Sequence, residues 1–125
     1  MPGNSGGISY QRGRWAEQTA LEYLLTKKLK LLDKNFRSSF GEIDLIMQDN
    51  SIILFIEVRY RSNNHFYTAL ESINKKKCER IISTSHLYLS KNRSASQLDC
   101  RFDVVTLSGP QKTPTIEWIK NAFQA

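Results

Sequence analysis

GEIDLIMQDNSIILFIEVRYR, residues 41–61, decides how this chain is read. Two runs rich in Ile, Val, Leu and Phe flank Asp49-Asn50, a dipeptide suited to a tight turn. Gly41 to Gln48 and Ser51 to Arg61 therefore read as the two strands of a β-hairpin. With Asp49 and Asn50 as the turn residues, Gln48 faces Ser51, Glu42 faces Glu57, and Asp44 faces Phe55. Strand alternation then puts Glu42, Asp44, Phe55, Glu57 and Arg59 on one face.

Three carboxylates on one face of otherwise apolar strands are unfavourable by themselves. Like charges directly opposite repel, and burying unpaired charge costs several kcal/mol. A positive partner is required, and two kinds are available. One is a divalent cation such as Mg²⁺ or Mn²⁺; Mg²⁺ prefers oxygen ligands and is held by one or two carboxylates plus water. Such an ion lowers the pKa of bound water and stabilises charge on a phosphodiester. The other is an arginine, for which Arg59, Arg37 and Arg101 are the candidates. Arg59 could also pair with a phosphate oxygen.

Outward from the hairpin, Leu29 to Phe36 reads as a preceding strand and Cys100 to Leu107 as a later one. Ile116 to Ile119 reads as a short fifth strand. Trp15, Ala16, Thr19, Ala20, Tyr23 and Leu24 recur at helical spacing, so a first helix is expected over about Ser9 to Lys28. A second is expected over Thr68 to Leu89, with Cys78, Ile81, Ile82, Ser85 and Leu89 as its apolar stripe. The order α-β-β-β-α-β-β gives an α/β fold. Three strands form a meander, and a helical crossover leads to a parallel fourth strand in a mixed sheet with helices on both faces. Residues 1–8 (MPGNSGGI) read as a flexible tail, and 9–125 as a single domain.

Lys and Arg number 18 against 12 Asp and Glu in 125 residues, a formal charge of +6. Such a balance attracts polyanions through counterion release. Cys78 and Cys100 lack zinc-ligand spacing with His65 and His86 and read as free thiols of a reducing, cytoplasmic compartment. No apolar run is long enough to span a bilayer. No phosphate-binding glycine motif is present, which argues against an NTPase or a dinucleotide enzyme. Phe66 and Tyr67, in the loop that also holds Asn63, Asn64 and His65, could stack on bases. Lys75, Lys76, Lys77 and Arg80 could track a phosphate backbone, and Arg61 joins them as a candidate nucleic-acid contact.

GEIDLI (41–46), FIEVRYR (55–61) and RFDVV (101–105) resemble the YraN-like family of bacterial proteins. That family in turn resembles the Holliday-junction-resolvase branch of the PD-(D/E)xK nucleases. The likeness spans about residues 10–122. It implies a restriction-endonuclease-like fold and a metal-dependent DNA endonuclease, with branched DNA as a candidate substrate. It assigns Asp44 and Glu57 as the motif acids, adds Glu17 of the first helix to the metal site, and places Lys77 at a basic position. Two cuts in a branched substrate would make a homodimer natural. One departure matters: Glu57-Val58-Arg59 stands where the motif has Glu-x-Lys. Arginine can stabilise charge, but it does not give up a proton near neutral pH. The alternative is therefore a nucleic-acid-binding module that does not cleave.

Overall fold

Residues 52–58 (IILFIEV) are apolar except for Glu57, so the strand they form must be covered on both faces. A computed structural model describes residues 3–62 and 66–125, and the side chains of 11–62 and 69–125. In chain order the elements are α1 (Gly3–Thr26), β1 (Lys30–Arg37), β2 (Glu42–Asp49), β3 (Ile52–Arg61), α2 (Phe66–Glu71), α3 (Lys75–Lys91), α4 (Arg93–Ser96), β4 (Asp99–Ser108) and β5 (Thr115–Phe123). The sheet order is β1-β2-β3-β4-β5. β3 and β4 are parallel, and the other neighbours are antiparallel. This is the mixed sheet that the sequence predicts, and it is compatible with a restriction-endonuclease-like fold.

Two cores lie on opposite faces. Ala16, Ala20, Leu21 and Leu24 of α1 pack on Leu45, Met47, Leu54, Ile56, Val58 and Val105. Ile81 and Tyr88 of α3 and Ala95 of α4 pack on Ile43, Ile46, Ile53, Phe55 and Phe102. Strand alternation separates the two sets in β3: even-numbered residues face α1 and odd-numbered ones face α3.

Several boundaries differ from expectation. α1 begins at Gly3 rather than Ser9, so it takes in residues 3–8, which the sequence reads as tail. A glycine costs only about 1 kcal/mol when an existing helix is extended through it. The single helix expected over 68–89 is two helices, because Asn74 starts a new one. Its side chain accepts the Lys77 N–H at 2.8 Å, which caps α3. β5 is longer than 116–119 and runs from Thr115 to Phe123. Asn63, Asn64, His65 and the side chains of Phe66 and Tyr67 lie outside the described residues.

The hairpin register is also displaced. Asn50 and Ser51 make the turn, Asp49 pairs with Ile52, and Gln48 pairs with Ile53. Asn50 adopts φ 54°, a left-handed conformation that asparagine tolerates. Moving the turn by one residue changes each cross-strand partner by two positions. Face parity is kept, but the partners differ. Asp44, not Glu42, comes to the level of Glu57.

Asp103, the acid of RFDVV, is fully buried and serves the fold. Its oxygens accept from Arg101 Nε at 2.8 Å and Nη2 at 2.9 Å, and from Trp118 Nε1 and the Asn121 N–H at 2.9 Å each. The last two bonds tie β4 to β5. Asp103→Ala leaves the Arg101 charge and two donors without their acceptor, so it should cost about 3–5 kcal/mol. Urea unfolding checks this, and a loss under about 1 kcal/mol would contradict the role.

Candidate active site

Asp44 sits where the sheet opens. The β2–β3 ladder ends at Leu45–Ile56. The β1–β2 ladder passes from Lys34–Leu45 to Phe36–Ile43 and skips Asp44 and Asn35, the residue at its level. In place of a backbone partner, the Val58 N–H donates to Asp44 Oδ2 at 2.8 Å. Core facing changes at this point. Leu45 and Met47 belong to the α1 core, whereas Ile43, of the same parity, belongs to the α3 core. The strand is thus rotated at Asp44, and its carboxylate occupies the gap between β2 and β3.

Acids meet at this gap from both sides. On the α1 side, Glu17, Glu42 and Asp44 each present a carboxylate oxygen, all within 4.8 Å of one another. On the α3 side is Glu57, only 4% exposed. Its Oε2 is 2.8 Å from Arg59 Nη2 and 3.6 Å from Lys77 Nζ. The expected common face for Glu42 and Glu57 is therefore not observed, because the rotation at Asp44 carries Glu42 to Glu17. Arg37 Nε lies 3.2 Å from Glu42 Oε1. Each arginine named as a possible counter-charge thus pairs with an acid: Arg37 with Glu42, Arg59 with Glu57, and Arg101 with Asp103.

A cleft of about 420 Å³ collects most of the residues singled out from the sequence. Glu17, Asp44, Glu57, Arg59, Arg61 and Lys77 all line it. Lys76 and Arg80 do not line it; both are exposed on α3. Arg80 packs where the chain passes Gly41: a Cβ added at Gly41 would lie 3.4 Å from Arg80 Cβ. Arg12 also lines the cleft, and sequence reasoning missed it. The signal was present, since Arg12, Gly13, Ala16 and Glu17 share one helix face. Asn35 was missed as well. Its amide donates to Glu17 Oε1 at 2.9 Å and to Glu42 Oε2 at 3.0 Å. No local pattern marks it.

The electrostatics are unbalanced. Burial, followed by the negative charge of Glu57, pushes the Asp44 carboxyl well above its ordinary value of 3.8; Glu17 adds to the rise and the Val58 N–H opposes it. Among the described residues, the buried side-chain atoms without a hydrogen-bond partner are Glu57 Oε1 and Arg59 Nε, both at this site. A hard divalent cation fits the all-oxygen donor set and would relieve the repulsion. Oxygens around one Mg²⁺ lie about 3–4 Å apart, so small side-chain movements would close the cluster.

A mixed five-stranded sheet flanked by helices, with an acidic cleft where two strands part, defines the class of this molecule. The chain belongs to a family described as Uncharacterised protein family UPF0102, whose profile matches residues 16–107. It is 46% identical over 112 residues to the UPF0102 protein of Nitrosomonas europaea, a match covering 90% of this chain and 92% of that one. It is 42% identical over 118 residues to a UPF0102 protein of Legionella pneumophila, covering 94% of this chain and 98% of that one. Among the described residues, no helix is long and apolar enough to cross a membrane.

The raised Asp44 pKa has a consequence for stability. Between 3.8 and its raised value, the folded state binds more protons than the unfolded state. Stability of the metal-free protein therefore falls as pH rises through that window. Asp44→Asn keeps an acceptor for Val58 but removes the charge. In EDTA it should raise the Tm at about pH 7.5, and the gain should shrink towards about pH 4. Thermal melts across this range check it; a lower Tm for the variant at neutral pH contradicts it.

Proposed function

We propose that this protein is a divalent-metal-dependent DNA endonuclease that hydrolyses phosphodiester bonds, with branched DNA as its substrate class. The observation that carries this reading is the cleft itself. It gathers acids from α1, β2 and β3 with cations from β3 and α3. Asp44 and Glu17 would hold Mg²⁺ or Mn²⁺, with Glu42 on one side and Glu57 on the other. The ion, when bound, supplies charge stabilisation at a phosphate oxygen and a water of lowered pKa.

The chain's own residues supply the rest. The guanidinium of Arg59 would stabilise charge on the phosphate rather than transfer a proton. Lys77 faces the same cleft and adds a second positive group. Arg12 and Arg61 extend the positive lining along which a phosphate backbone can run. Lys76 and Arg80 on the exposed face of α3 would contact flanking phosphates. A homodimer would place two such clefts on a branched substrate.

A second reading, a binding module that does not cleave, is favoured by one observation. Arg59 and Lys77 both lie against Glu57, so its charge is already balanced in part without an ion. The two readings separate in one experiment. Purified protein is incubated with Mg²⁺ or Mn²⁺ and with single-stranded, duplex and four-way DNA. Cleavage should be fastest on the four-way substrate, and Asp44→Asn should slow it by about 100-fold or more. Salt-sensitive binding without cleavage would establish the second reading. Cleavage that persists in Asp44→Asn, or neither binding nor cleavage, would defeat the nuclease assignment.

A further inference from the structure

Asn35 lies inside strand β1, yet its φ is 53°. Strand residues ordinarily have negative φ, and a left-handed residue there interrupts the ladder. The interruption falls at the level of Asp44, where the β1–β2 register skips both residues. The conformation comes with a single amide nitrogen donating to carboxylates on two different elements, Glu17 on α1 and Glu42 on β2. This donor joins Glu17 to Glu42, whose like charges would otherwise push them apart.

The cluster does not stand alone as a sign of a ligand. Glu57 is 4% exposed and lines the same cleft as Asp44 and Glu17, and its Oε1 has no hydrogen-bond partner. A buried carboxylate oxygen left bare in the cleft that Asp44 and Glu17 also line is expected where a cation belongs.

We propose that Asn35 is a positioning residue that locks Glu17 and Glu42 into one pair beside Asp44, which makes Glu42 a further ligand for the cation. Asn35 does not touch the ion. It fixes the orientation of two groups that do, as hydrogen-bonded partners of metal ligands generally do. Its left-handed backbone is the means by which a strand residue reaches both acids. Asparagine suits the position because, apart from glycine, it is among the residues most tolerant of this conformation. This inference rests on the metal-dependent reading above and specifies how its site is assembled.

Asn35→Gly is the informative variant. Glycine adopts φ 53° without strain, so the backbone is kept and only the amide is lost. Mn²⁺ affinity is measured by calorimetry on the full chain without DNA, beside a thermal melt in EDTA. Asn35→Gly should weaken Mn²⁺ binding by about 10-fold or more with the fold intact. Glu42→Gln, nearly isosteric and partly exposed, should weaken it by a similar factor. Unchanged affinity in Asn35→Gly, whatever its Tm, overturns the positioning role. Unchanged affinity in Glu42→Gln overturns Glu42 as a ligand. If the wild-type chain binds no Mn²⁺, this inference falls together with the reading it rests on.

Discussion

The bond from the Val58 N–H to the Asp44 carboxylate organises everything around it. It puts a side chain where a strand backbone would otherwise pair. β2 and β3 therefore part at Leu45–Ile56 while each continues in its own direction. From that parting follow the rotation of β2, the passage of Ile43 to the α3 core, and the meeting of acids from opposite faces. A regular ladder would have kept Glu17 and Glu57 apart, with a closed sheet between them.

A comparison of Asp103, Glu57 and Asp44 separates fold from site. Asp103 accepts four hydrogen bonds and is fully compensated within the protein. Glu57 has two cations at one oxygen and none at the other. Asp44 has one backbone donor and three acidic neighbours, and its carboxyl holds its proton to higher pH than usual. An unsatisfied buried polar group costs about 1–3 kcal/mol. A structure that carries such costs at Glu57 and Arg59, yet none at Asp103, concentrates its imbalance in one cleft. Local rules broken together at a single place are characteristic of functional sites.

The sheet was legible because its pattern is local. β3 is apolar on both faces, so its central place and its coverage by helices follow from residues 52–58 alone. The break before α3 was not, because apolar spacing continues through it; only the Asn74 cap reveals it. The hairpin register differs because residue type favours Asp49-Asn50 as the turn, whereas the left-handed conformation falls on Asn50 at the first turn position. The shifted register brings Asp44 to the level of Glu57, and so the two acids still meet. Glu42 was misplaced because no alternation rule anticipates a strand that rotates at one residue. Asn35 was invisible for a related reason: its partners lie 18 and 7 residues away, and only the folded chain brings them to it. Glu17 entered through family resemblance, since a glutamate on a helix is ordinarily a solvated surface residue.

The most direct measurement of the central claim is anomalous diffraction from a crystal soaked in Mn²⁺, with data collected near the manganese edge. A cation site here should give a peak bordered by oxygens of Asp44 and Glu17, with Glu42 or Glu57 completing the set, and with Arg59 still on Glu57. The absence of any anomalous peak in the cleft, with an Arg59 or Lys77 side chain filling the space between Asp44 and Glu57, would contradict it.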